Sequence, residues 1–142
     1  MNAMTRKKKP DTYIEPMPTK QLHRIVRAFK ARGGIIQMND KTDEYLKSKQ
    51  AEAITYDSKT ILLKQKPSRA SVFEELIHAA QYRKGENDGT YLSRLRCEIY
   101  AQKKLLKFSK IYKLTGAEIA QTQSALDSYE KELSEYIKNG GV

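Results

Sequence analysis

The segment Val72-Phe73-Glu74-Glu75-Leu76-Ile77-His78-Ala79-Ala80-Gln81 constrains this chain more than any other. Six of its ten residues are apolar, and wound at a helical pitch they cover nearly the whole circumference, so the segment reads as a buried helix. Its polar residues are not scattered. Glu74, His78 and Gln81 follow i, i+4, i+7 spacing and share one face, with Glu75 at its edge. Charged groups on a buried helix are costly unless they are paired or bound to metal. The stripe is therefore expected to be the functional centre.

A second helix supplies the partner. After a turn at 85–89, residues 91–112 read as one long helix with an apolar face of Leu92, Leu95, Ile99, Leu105 and Leu106. Glu98 falls inside that face, and Ala101-Gln102 continue the row. A carboxylate on a core-facing stripe needs a counterpart, either His78 or a metal that His78 also holds.

The rest of the chain is read around these helices. A helix starting at Thr19, as its cap, runs through Leu22, Ile25, Val26 and Phe29 to Gly33-Gly34. Ile35 to Met38 is a short strand, and Thr42 or Asp43 opens a short helix. Residues 53–56 and 60–63 flank Asp57-Ser58-Lys59 as a hairpin. Ser68 or Ser71 caps the site helix, and Thr115 caps a last helix marked by Ile119, Leu126, Tyr129, Leu133 and Ile137. The expected fold is α+β: a small antiparallel sheet packed on the site-bearing helix, followed by a long two-helix hairpin. Residues 1–18, with Pro10, Pro16 and Pro18, read as a flexible basic arm before a single domain over 19–142.

Composition narrows the function. The single cysteine, Cys97, excludes an internal disulfide and a multi-cysteine zinc site, so any metal must be held by His and carboxylates. Cys97 and the exposed-looking His23 are expected to be a packed thiol and a surface residue. Formal net charge is +10, from 27 Lys+Arg against 17 Asp+Glu. The charge is spread over several segments, which predicts nonspecific, salt-sensitive affinity for nucleic acid and no defined site for it. No apolar run is long enough for a membrane span. The basic N-terminus lacks an apolar continuation, so the chain is expected to be cytoplasmic or delivered by a route other than general secretion.

The pattern Glu74-Glu75-Leu76-Ile77-His78 resembles the zincin signature, in which two His at i and i+4 hold zinc and a Glu between them is the base, with the first His replaced by Glu. From about Gly33 to Gln102 the chain is similar to small zincin-like metallopeptidase domains, of the gluzincin branch, found in phage-associated and polymorphic-toxin proteins. The resemblance implies Glu74, His78 and Glu98 as metal ligands, Glu75 as the general base for the attacking water, and Gln81 and Gln102 as outer hydrogen-bonders. It implies a divalent metal, zinc first; the two carboxylates also suit manganese or iron and leave the site less positive. It implies a peptide or protein substrate paired along Thr60 to Leu63 as an edge strand.

Two other readings compete with peptide hydrolysis. One is a noncatalytic, phage-related structural or binding module, in which the same residues form a buried Glu–His network. The other is a basic nucleic-acid-binding protein. Residue by residue, Glu74 could pair with His78 or Arg83, and Glu75 could be an exposed helix-face acid.

Overall fold

The computed structural model describes residues 3–7 and 13–141, with only the backbone of Lys7. In chain order the elements are β1 (Met4–Lys7), α1 (Thr19–Ala31), β2 (Ile35–Gln37), α2 (Asp40–Ser48), β3 (Ala51–Asp57), β4 (Thr60–Leu63), α3 (Arg69–Arg83), α4 (Tyr91–Lys107) and α5 (Gly116–Lys138). The α+β class and the closing pair of packed helices match the sequence expectation.

Local chemistry sets the boundaries. Ser68, Thr90 and Thr115 cap α3, α4 and α5, each hydroxyl accepting the backbone N–H three residues on. At α5 the Glu118 carboxylate also reaches back to the Thr115 N–H, completing a capping box. Its other oxygen accepts the Ala70 N–H at 2.6 Å, tying the start of α5 to the first turn of α3. Gly33 ends α1 with φ +88°, and Gly34 lies against the Phe29 ring so closely that a Cβ there would stand 2.3 Å from it.

Several expectations are corrected. Pro18, not Thr19, occupies the N-cap of α1 and no side chain caps it, while Asn39 caps α2 ahead of Thr42 and Asp43. The helix expected to reach Tyr112 stops at Lys107; the chain then turns, and Tyr112 stacks on Phe73 with ring centroids 4.3 Å apart. The sheet has order β1-β3-β4-β2 and is mixed. The β3–β4 hairpin is antiparallel, as expected, but β2 joins β4 in parallel because α2 and β3 carry the chain back before β4 begins.

Thr60 to Leu63 is therefore an interior strand, and β1 and β2 are the edges. The flexible arm is corrected for Met4–Lys7, which pair antiparallel with β3, Met4 opposite Thr55 and Arg6 opposite Ala53. Burying Met4 at 1% exposure stabilises that pairing. Lys8 to Thr12, also within the expected arm, lie outside the described residues.

Each strand of the hairpin feeds two layers. In β4, Ile61 and Leu63 join Phe29, Val72 and Ala79 on one face, and Leu62 joins Leu46 and Ile54 on the other. On its far side α3 packs Ala70 and Ile77 against Ala101 and Leu105 of α4. Sheet and helical hairpin thus enclose α3 from both sides, which is why its sequence is apolar almost all round. The enclosure also buries its polar stripe.

Candidate metal centre

The stripe is interior. Glu75 and His78 are 0% exposed, Glu74 2% and Glu98 7%. His78 Nε2 lies 2.9 Å from Glu98 Oε1 and 3.8 Å from Glu74 Oε2. One ligand atom from each of these three residues can be chosen so that all lie within 4.8 Å of one another. The first two come from successive turns of α3; the third comes from α4, which crosses at that height.

Each member of the cluster has one polar atom tied outward. Gln81 donates Nε2 to the Cys97 carbonyl at 2.9 Å, which turns its Oε1 to His78 Nδ1 at 2.7 Å. Nδ1 therefore carries a hydrogen, and Nε2 is the ring nitrogen that faces the carboxylates, as a donor when the ring is protonated and as a lone pair when it is neutral. Glu74 Oε1 accepts from Arg6 at 2.6 Å and from Gln102 Nε2 at 2.7 Å. Glu98 Oε2 accepts from the Tyr129 hydroxyl at 3.0 Å. Left facing inward are His78 Nε2, Glu74 Oε2 and Glu98 Oε1.

Those inward atoms need a cation. The 2.9 Å approach of Nε2 and Glu98 Oε1 has ion-pair distance but not hydrogen-bond alignment, and both atoms are buried without a hydrogen-bond partner among the described residues. A proton is one answer. Burial disfavours the imidazolium, but the Glu98 charge, with Glu75 and Glu74 behind it, outweighs burial and pushes the His78 pKa up to about 10. A divalent metal is the other. Tetrahedral zinc with bonds of about 2.1 Å sets its ligands about 3.4 Å apart, so the 2.9 Å side of this triangle would widen and the 3.8 Å side would close, each by about half an ångström or less. One imidazole nitrogen and two carboxylate oxygens, each oriented from behind, fit such an ion.

Glu75 is placed differently. It faces the sheet, where Thr55 of β3 donates its hydroxyl to Oε1 at 2.9 Å, and Oε2 has no hydrogen-bond partner among the described residues. Burial, then the nearby Glu74 charge, raise its pKa to about 8. An exposed helix-face acid is thus ruled out for Glu75. The expected Glu74 counter-ions are revised as well: His78 stays at 3.8 Å, and the close cation is Arg6, not Arg83.

The sequence reading missed Arg6, Thr55, Gln121 and Tyr129. Arg6 reaches Glu74 from β1 and anchors its second nitrogen on Gln121 of α5 at 3.0 Å. Tyr129 had a usable signal, since it continues the buried row Thr122 and Leu126 at helical spacing. Cys97 is buried with its thiol against the Glu86 carbonyl, and His23 is exposed, as expected.

The cluster meets the surface at one described mouth. A cleft of about 270 Å³ opens over Glu98 between Ala3, Thr5 of β1, Arg94 of α4, and Tyr129 and Glu132 of α5. A larger cleft of about 380 Å³ lies on the opposite face of α3, over Leu76, Ala80 and Arg83, and has no carboxylate or imidazole in its wall. Of these two clefts, only the first is lined by a member of the cluster.

A buried His–carboxylate cluster on a core helix of an α+β domain defines a class of protein able to hold a divalent metal. Residues 7–132 match the family model described as metallopeptidase toxin 4, and the chain belongs to that family. No curated protein and no solved structure matches it.

Proposed function

We propose that this chain is a metal-dependent peptidase whose ligands are Glu74, His78 and Glu98. One observation carries the reading: three side chains from two helices turn one polar atom each toward a common buried point, while their other polar atoms are tied back by Gln81, Gln102, Arg6 and Tyr129. A divalent cation bound there supplies Lewis acidity toward a peptide carbonyl. Zinc suits the imidazole and a tetrahedral set; manganese or iron suits the two carboxylates.

The chain's own groups do the rest. Glu75, whose Oε2 has no hydrogen-bond partner among the described residues, would take a proton from the attacking water and return it to the leaving amine. The charge of a bound divalent cation would hold Glu75 ionised against its raised pKa. Thr55 holds its other oxygen and fixes its direction. The substrate reaches the cluster through the mouth over Glu98. An extended peptide would pair with β1, the edge strand whose Thr5 lines that mouth beside Ala3.

A second reading keeps a specific observation in its favour. A protonated His78 between Glu98 and Glu74 satisfies the cluster as a salt bridge, which suits a noncatalytic module. Hydrolysis of an unstructured protein substrate decides between them. The peptidase reading expects cleavage that a chelator abolishes and zinc or manganese restores, and that Glu75→Gln lacks while still binding metal. Cleavage undiminished in Glu75→Gln, or absent from protein with a filled metal site, would contradict it.

A further inference from the structure

The first ligand position of the HExxH pattern holds a carboxylate here, and Arg6 meets that carboxylate from a different part of the chain. Its guanidinium is 7% exposed, donates to Glu74 Oε1 at 2.6 Å and to Gln121 Oε1 at 3.0 Å, and has no other described acid within ion-pair distance. Gln102 fills the remaining acceptor capacity of Glu74 Oε1, so Oε2 alone is left to face His78. An arginine buried this deeply is costly without a counter-ion, and so is the carboxylate it meets. The two charges cancel.

We propose that Arg6 and Glu74 act as one neutral ligand unit, standing where a neutral histidine would otherwise stand, with Arg6 the residue that positions Glu74 and cancels its charge. The inference rests on Glu74 being a metal ligand. It makes the centre a product of three segments, since the compensating charge arrives on β1, an edge strand held by pairing to β3. It also accounts for the burial of an arginine in a strand of four residues. The unit keeps the cluster close to the net charge of a two-histidine, one-carboxylate set while offering the metal an oxygen.

A cycle of Arg6→Met and Glu74→His, alone and together, tests this with two readouts that do not depend on activity. The first is the melting temperature of metal-free protein. Arg6→Met should lower it in the chain that keeps Glu74 and raise it in Glu74→His, because each single change strands one buried charge and the double change strands none. The second is zinc affinity. Glu74→His should bind zinc about tenfold more weakly than the unaltered chain, despite the better donor, and the double variant should recover that loss. Where Glu74→His does not fold, the isosteric Glu74→Gln carries the melting-temperature half.

Arg6→Met lowering the melting temperature equally in both backgrounds would overturn the proposal, as would Glu74→His alone binding zinc as tightly as the double variant. If the unaltered chain binds no zinc or other divalent metal, the peptidase reading fails first. The melting-temperature cycle then still reports on the pairing.

Discussion

His78 Nε2 and Glu98 Oε1 stand 2.9 Å apart in the interior, on helices joined by a seven-residue connection, and neither finds a well-aligned hydrogen bond among the described residues. An imidazole nitrogen facing a carboxylate oxygen at that distance requires a proton or a metal ion between or beside them.

Removing an outward tie should weaken metal binding without destroying the fold. Gln81→Leu leaves His78 Nδ1 without its acceptor and the ring free to rotate or change tautomer. Isothermal titration should find zinc affinity reduced about 10- to 100-fold. An unchanged affinity would show that the ring is held by packing alone.

Tyr129→Phe deletes only the hydroxyl that holds Glu98 Oε2. One hydrogen bond to a charged group amounts to about 1.5–3 kcal/mol, so a loss of about tenfold or more in metal affinity is expected. Because the same bond is present in the metal-free fold, its loss should also lower the metal-free melting temperature, and an unchanged metal affinity would show that the hydroxyl does not position Glu98 for an ion.

Metal-free protein should lose stability as pH rises. The folded-state pKa values of Glu75, about 8, and His78, about 10, lie above their ordinary values of 4.5 and 6.5. A raised pKa means that the fold binds the proton more tightly than the unfolded chain. The contribution is therefore full below the unfolded value and is lost as pH climbs through the folded one. Thermal melts of chelator-treated protein should fall steadily from about pH 6 to about pH 10. A melt that rises over that window would contradict the assignment.

How much of this was legible in the sequence depended on the range of the interaction. The α3 stripe was readable because helical periodicity turns spacing directly into direction, and the same rule placed Glu98 on the inner face of α4. Arg6, Thr55 and Tyr129 reach the site through tertiary contacts between distant segments, which no local spacing encodes. The edge-strand expectation failed for a related reason: Thr60–Leu63 looks like the end of a hairpin, and only the parallel docking of β2 makes it interior. Polar residues and prolines suggested a loose arm, yet Met4 and Arg6 alternate inward, a two-residue signal too short to read as a strand.

Glu118 ties the helical hairpin to the site helix. Its carboxylate caps α5 and accepts the Ala70 N–H at the start of α3. Glu118→Ala strands that buried donor and removes the capping box, at a cost of about 2–4 kcal/mol in chemical denaturation. A cost under about 0.5 kcal/mol would mean that neither contact holds in solution.

Metal content tests the central claim most directly. Elemental analysis of protein purified without a histidine tag should find close to one zinc, manganese or iron per chain, and His78→Ala should retain little of it while staying folded. No metal in the parent after exposure to each of those ions, or equal metal in His78→Ala, would contradict the account.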